Sequence, residues 1–65
     1  MKNGTKRADI KSGMQVNIVL KEDQDMGLLT WGVVRDILTK SATHPHGIKV
    51  RLMTREVGRV KEILS

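Results

Sequence analysis

The sequence predicts an all-β domain, a small barrel of four to five short antiparallel strands. Three observations predict it. Apolar and polar residues alternate with a period of two in several short segments, which is the pattern of a strand with one buried face. No segment keeps an apolar period of 3.6 residues, so no long helix is expected. A seven-residue phrase that begins with glycine occurs twice, at residues 32–38 and 58–64.

The domain boundaries follow from length and composition. A chain of 65 residues leaves room for one domain. Residues 1–8 are polar, contain Gly4 and carry Lys2, Lys6 and Arg7, so they predict a flexible basic tail that is disordered. The barrel itself is expected over residues 9–65, and its closure would remove the exposed edges of the sheet.

Turn and loop signals separate the predicted strands. An acidic loop is expected at residues 22–27, a polar loop with the only proline at 39–47, and a short turn at 54–56. The first strand shows the alternation best, since Met14, Val16, Ile18 and Leu20 occupy every second position. The four predicted strands cover residues 14–20, 28–38, 48–53 and 57–63.

The doubled phrase predicts a strand that bends. Val34 and Ile37 are three residues apart, so both can point inward only if the strand bulges between them, and the same holds for the second copy. The glycine two positions before the valine permits a kink or a close approach of a neighbouring strand. The basic residue of each copy, Arg35 or Lys61, then faces solvent. A short 3₁₀ turn is expected after Val34 or Val60.

Two resemblances support this fold. The pattern from Gly13 to Ile37 resembles KOW-type and other SH3-like barrels, some of which bind RNA, and it implies an SH3-like barrel. Nearly the whole chain is similar to the YwbE family of small bacterial proteins. That similarity is carried by DIKxG at 9–13, DILT at 36–39, HPxGIKVRL at 44–52 and VGRVK at 57–61. The family supplies no activity whose residues would transfer. The chain departs from the family pattern at Trp31, where a basic or polar residue is expected, and at Thr54 and Arg55, where a glycine turn is expected.

The charge of the chain favours a polyanionic partner. Lys and Arg total 12 against 7 Asp and Glu, which gives a net charge of +5. Such an excess suits RNA, DNA or an anionic surface. The chain has no cysteine, hence no disulfide and no thiolate metal site. No membrane-spanning segment and no apolar leader is present, so a cytoplasmic protein without a membrane association is expected.

The third and fourth strands predict a basic face. Their outward positions carry Lys49, Arg51, Arg59 and Lys61, and pairing of the two strands would bring these charges together. Like charges opposite one another are destabilising, so such a face is expected to contact phosphates. The alternative is a solvated edge that discourages aggregation of sheets.

Trp31, the single aromatic residue, is a candidate for stacking on a base. Successive side chains of a strand point to opposite faces, so Trp31 points outward if Val34 points inward. The same strand also carries Arg35. Stacking on an exposed tryptophan contributes about 1–3 kcal/mol per base. The alternative is a partly buried tryptophan, because the second copy of the phrase has an apolar valine, Val57, at the same position.

The sequence shows no catalytic pattern, and we expect neither an enzyme nor a cofactor. HExxH, a P-loop and an activated nucleophile are absent. His44 and His46 supply half of a metal site at most, and the acidic loop lacks EF-hand spacing, so no metal is expected. The first hypothesis is therefore an RNA-binding module. The alternative is a protein-interaction or structural adaptor, monomeric or weakly self-associating. Its contact residues would be Trp31 or the apolar pair Ile63–Leu64 at the end of the fourth strand.

Overall fold

The computed structural model describes residues 2–24 and 26–65 and shows a closed antiparallel barrel. The strand order is β1-β2-β3-β4, and β4 pairs back with β1 to close the barrel. The all-β, four-stranded prediction is confirmed. The strands are β1 (Gln15–Leu20), β2 (Thr30–Ile37), β3 (Lys49–Leu52) and β4 (Val57–Ile63).

The core lies where the alternation predicts it. Val16 and Ile18 of β1, Val34 of β2 and Val60 of β4 are fully buried inside the barrel. Successive side chains of a strand point to opposite faces, so these residues leave their neighbours on the outer face. The other buried members of the core are Ile10, Ile48, Val50, Leu52 and Ile63.

Each copy of the doubled phrase contains a bulge at the same position. Between β2 and β3, Val34 pairs with Leu52 but Asp36 pairs with Arg51, so Arg35 is an extra residue. Between β4 and β1, the pairings of Val60 with Ile18 and of Glu62 with Asn17 leave Lys61 extra in the same way. An extra residue reverses the parity beyond it, which turns Ile37 and Ile63 toward the core. The predicted bend is confirmed in both copies.

The glycines of the two copies allow close approach of a neighbouring strand. Both Gly32 and Gly58 are buried. A Cβ atom at Gly32 would overlap the side chain of Leu52, and one at Gly58 would overlap the backbone carbonyl oxygen of Val19. A side chain at Gly32 would therefore displace the Leu52 side chain, and one at Gly58 would displace the backbone at Val19.

The N-terminal segment packs on the barrel, which differs from the flexible tail predicted over residues 1–8. Backbone hydrogen bonds run from Ile63 N–H to the Lys2 carbonyl (2.8 Å), from Ile48 N–H to Gly4 (2.9 Å) and from His44 N–H to Thr5 (3.0 Å). Gly4 is buried against Val60. Because β3 has only four residues, residues 2–6 pair with backbone that β3 leaves open. We call residues 2–6 the N-terminal strap.

The short turns also lie elsewhere than predicted. The 3₁₀ turns are at Arg7–Asp9 and Lys21–Asp23. None follows Val34 or Val60 in the described residues, because the bulges let β2 and β4 continue to Ile37 and Ile63. The described residues contain no helix long and apolar enough to cross a membrane.

The turn between β3 and β4 takes an unusual backbone conformation. Arg55 has a φ of 77°, which lies in the left-handed region that glycine adopts most easily. Its N–H donates to the carbonyl of Leu52 at 2.9 Å. This is the turn where the family pattern leads one to expect glycine.

Candidate nucleic-acid interface

Lys49 and Arg59 face each other directly across β3 and β4. They are register partners, and Arg59 is also the register partner of Val19 on β1. Neither cation has a carboxylate within salt-bridge distance among the described residues. The cost of placing like charges opposite one another is therefore not offset by an anion in this part of the protein.

Arg35 of β2 and Arg51 of β3 share an anion, and Arg51 lies two residues from Lys49 on the outer face of β3. Arg51 Nη1 is 3.3 Å and Arg35 Nε is 3.8 Å from Oδ2 of Asp36. The three side chains are about half exposed, so the pairs contribute little to stability, but the carboxylate lowers the local positive potential. Arg51 keeps the outward position predicted for it on β3, and its part in a phosphate-binding face stays a prediction.

Arg59 and Lys61 hold the loop that precedes β3. Arg59 Nη1 donates to the carbonyl of Gly47 at 3.1 Å, and Lys61 Nζ donates to the carbonyl of His46 at 2.8 Å. Lys61 lies two residues after Arg59 and, like it, on the outer side of β4. The acceptors are neutral, so both side chains keep their full positive charge.

A cleft on the outer face of the barrel brings these cations together with two histidines. It has a volume of 590 Å³ and we call it the histidine cleft. Its floor includes Val19, which points outward yet is only 4% exposed. The described lining contains no aspartate or glutamate. Besides Val19, it consists of Gln24, Gly27, Leu29, His44, His46, Arg59 and Lys61.

A second cavity of 430 Å³ adjoins it, which we call the lysine groove. Lys21 and Lys49 line the groove, and Arg59 lines both cavities. The cations Lys21, Lys49, Arg59 and Lys61 therefore line two adjoining cavities. We call these four residues the cationic track.

The electrostatics of the cleft favour a neutral His44. Partial desolvation, followed by the nearby charges of Arg59, His46 and Lys61, lowers the pKa of His44 from its ordinary value. The backbone N–H of His46 donates to His44 Nδ1 at 3.1 Å, which requires that nitrogen to be unprotonated. The remaining proton of the neutral ring therefore lies on Nε2.

Trp31 is exposed, as the alternation of side chains along the strand predicts. The alternative prediction of a partly buried tryptophan is wrong. The exposed fraction of Trp31 is 57%. Its register partner on β1 is the uncharged Asn17, whose amide donates to Glu62 at 3.1 Å. Leu29, two residues before Trp31, lines the histidine cleft.

The two histidine rings are 5.9 Å apart and tilted by 51°. In the part of the chain that the structure describes, they belong to no group of three or more His, Cys, Asp or Glu side chains. Their neighbours in the cleft are the cations Arg59 and Lys61, which disfavour a bound metal cation and favour an anion.

Comparison with known proteins places the chain in a family. Residues 3–63 match the model of a family described as an uncharacterized conserved protein, DUF2196. The chain belongs to this family. The uncharacterized protein YwbE of Bacillus subtilis (strain 168) is 59% identical over 63 residues, which are 97% of this chain and 97% of that protein. The resemblance to the YwbE family is confirmed. No solved structure matches the chain.

Sequence reasoning missed three components of the site. Lys21 directly follows the predicted first strand, and its parity with Val19 is a signal that could have indicated the outer face. His44 and His46 were considered only as metal ligands and turn residues. Their proximity to Arg59 and Lys61 depends on a loop contact between residues far apart in sequence, for which the sequence contains no signal.

Proposed function

We propose that the protein binds single-stranded RNA along the cationic track, as a binding module rather than an enzyme. The observation that carries the proposal is that Arg59 lines both the histidine cleft and the lysine groove. A groove lined by cations follows the backbone of a nucleic acid strand, because successive phosphates each need a positive neighbour.

Exposed apolar side chains beside the track add a second contact for the strand. Trp31 presents an open face for stacking, and Leu29 continues the apolar surface into the histidine cleft. Every base has a π-face, so stacking of this kind tolerates any sequence. This arrangement supports binding with little sequence preference.

The test is the salt dependence of binding to a short single-stranded RNA. Four phosphate contacts predict that the logarithm of the binding constant falls against the logarithm of salt concentration with a slope of about −3. Fluorescence anisotropy with a labelled oligonucleotide gives the slope. Failure to bind at 50 mM salt, roughly the low end of the usual range, would contradict the proposal.

A pair of variants separates the track from the net charge. Lys49→Gln removes one contact, so we expect weaker binding and a slope that is smaller by about 0.7. Lys11→Gln removes the same charge before β1, outside the track, and should leave the slope nearly unchanged. Equal effects of the two substitutions would indicate that only the total charge matters.

A second candidate function, binding of a protein partner, rests on exposed apolar residues. Met26, Leu28, Leu29 and Trp31 are 72%, 52%, 47% and 57% exposed. Apolar side chains that lie close together on a surface are typical of interaction sites. The apolar pair Ile63–Leu64 contributes less to such an interaction site, because Ile63 belongs to the core and Leu64 alone of the two is exposed.

Salt separates the two candidates. An apolar protein contact changes little when the salt concentration is doubled, whereas binding through the cationic track weakens strongly. Trp31→Ala would remove most of a protein contact centred on residues 26–31. It would reduce RNA binding only by the stacking contribution of a single base.

A further inference from the structure

We infer that the histidine cleft recognises a phosphate monoester, such as the terminal phosphate of an RNA strand. This inference rests on the proposed function and names the part of the ligand that the cleft receives. A phosphate monoester carries a charge of about −1.5 to −2 near neutral pH, whereas a phosphodiester within a strand carries about −1. The two forms therefore call for sites of different charge.

The positive charge of the cleft matches the larger anion. Arg59 and Lys61 contribute two permanent charges on one wall, and His44 and His46 stand beside them. The described lining residues include no carboxylate that would repel a dianion. In contrast, the lysine groove is lined by Lys21, Lys49 and Arg59 without either histidine, which suits the single charges of phosphodiesters.

The hydrogen-bond donors of the cleft are only partly used. Arg59 has five N–H donors and Lys61 has three. One donor of each holds the loop, through the carbonyls of Gly47 and His46. The other donors remain for phosphate oxygens, and charge-assisted hydrogen bonds of this kind are among the strongest in proteins.

His44 adds a donor that does not require a positive charge. Its Nδ1 accepts the hydrogen bond from the His46 backbone, so the neutral ring carries its proton on Nε2. A bound dianion would offset the charges of Arg59 and Lys61 and would raise the pKa of His44 above its value in the unliganded protein. Other charged groups around the cleft are Lys6, which pairs with Thr43, and Glu62, which follows Lys61 on β4 and accepts from Asn17. Glu22 and Asp23 precede the lining residue Gln24 in the sequence.

The rest of the cleft suits the sugar and base that carry the phosphate. Val19 and Leu29 provide an apolar floor and wall, and the Gln24 side chain offers both donors and acceptors. Small-molecule sites commonly combine an apolar lining with a few polar groups. A terminal nucleotide therefore fits the lining better than inorganic phosphate does.

The experiment compares oligouridylates of equal length that carry a 5′-phosphate, a 3′-phosphate or hydroxyls at both ends. We expect one phosphorylated form to bind about tenfold more tightly than the hydroxyl form, a factor typical of strong charge-assisted hydrogen bonds. Uridine monophosphate is included as a free source of the same group. Its binding without any oligonucleotide binding would support the inference and contradict the proposed function.

Equal affinity for the three oligonucleotides would overturn the inference and leave the proposed function intact. Lys61→Gln should abolish the preference for the phosphorylated form, whereas Lys11→Gln should keep it. Lys61→Arg should restore the preference, because the charge and the donors return. A preference that survives Lys61→Gln would also overturn the inference.

NMR provides a readout that does not depend on affinity. On addition of the preferred mononucleotide or oligonucleotide, the ring protons of His44 and His46 should shift and the pKa of His44 should rise. Unchanged ring-proton shifts and an unchanged His44 pKa at saturating ligand would place the phosphate elsewhere and would refute the inference.

Discussion

Arg59 and Lys61 have two tasks, since each holds the loop before β3 and adds positive charge to the histidine cleft. A lysine side chain can do both because its ammonium group has three donors and each carbonyl takes only one of them. His44 reports on this charge, because its ring stands within the field of both cations.

The pKa of His44 should rise when a neighbouring cation is removed. We expect a pKa below 6.5 in the native protein and a higher value in Lys61→Gln, because loss of a positive charge makes protonation of the ring easier. An NMR titration of the ring protons measures both values, with Lys11→Gln as the control of equal charge. An identical pKa in the native protein and in Lys61→Gln would show that Lys61 does not act on the ring.

The same shift has a consequence for stability. Because the folded protein lowers the pKa of His44, the unfolded chain binds more protons as the pH falls below 6.5. The contribution of His44 is therefore present above the unfolded pKa and is lost as the pH falls through the folded one.

Arg55→Gly should stabilise the protein. Arg55 occupies the left-handed region with a φ of 77°, which costs a residue with a side chain roughly 1–2 kcal/mol. Glycine removes that cost but adds freedom to the unfolded chain, so we expect a net gain of about 0.5–1 kcal/mol. Urea unfolding measures it.

Thr54→Gly is the matched control for that turn. Thr54 has no positive φ, and its hydroxyl donates to the Glu56 carboxylate at 2.7 Å. The substitution should therefore destabilise the protein. A loss of stability in Arg55→Gly as well would mean that the Arg55 side chain makes a contribution larger than the backbone strain.

At the scale of elements, the glycines of the two bulged strands have different neighbours, since Gly58 lies against the backbone of Val19 and Gly32 against the side chain of Leu52. Gly58→Ala should destabilise more than Gly32→Ala. The new Cβ would overlap the Val19 backbone in the first variant and the end of the Leu52 side chain in the second. A side chain can change rotamer, whereas a backbone carbonyl in a sheet moves only with its strand. Overpacking costs typically about 1–3 kcal/mol.

Unfolding in urea, followed by the Trp31 fluorescence or by circular dichroism, compares the two variants. We expect Gly32→Ala within that range and Gly58→Ala at its upper end or beyond. The reverse order would indicate that β1 and β4 separate more easily at Val19 than the register implies.

The parts of the fold that depend on the pattern of side chains were predictable from the sequence. Alternation located Val16, Ile18, Val34 and Val60 in the core, and the doubled phrase located both bulges, since a valine and an isoleucine three apart cannot otherwise both face inward. The N-terminal strap was not predicted because backbone hydrogen bonds hold it. Such bonds leave no pattern in side-chain composition, so a short polar segment looks the same whether it is paired or not.

The candidate site was predictable in part for the same reason. Strand parity put Lys49 and Arg59 on the outer face, and pairing of consecutive strands put them opposite each other. The ion pairs of Asp36 with Arg35 and Arg51 depend on the shift in register at the bulge. The meeting of His44 with Arg59 depends on a loop conformation, which periodicity does not describe.

At the scale of the whole molecule, the N-terminal strap should be required for full stability. A chain that lacks residues 1–6 loses the hydrogen bonds that Ile63, Ile48 and His44 donate to the strap. Each such bond contributes about 0.5–1.5 kcal/mol, and a donor left buried without a partner costs more. A domain of this size has a total stability of only about 5 kcal/mol.

We therefore expect a clear drop in the urea midpoint of the truncated chain. Substitution of Lys2 and Lys6 by Gln is the matched control, because it removes charge but keeps the backbone pairing. An unchanged midpoint after truncation would restore the flexible tail that the sequence predicts for residues 1–8.

The pairing of Lys2 with Ile63 also governs the order in which the chain can fold as it is synthesised. Residues 2–6 leave the ribosome before Ile48 and Ile63, whose backbone N–H groups bind them. β1 likewise waits for β4, so only the β1–β2 hairpin can form early in native register. Long-range closure of this kind is slow, and it leaves the nascent hairpin with its apolar face uncovered until translation of β4 is complete.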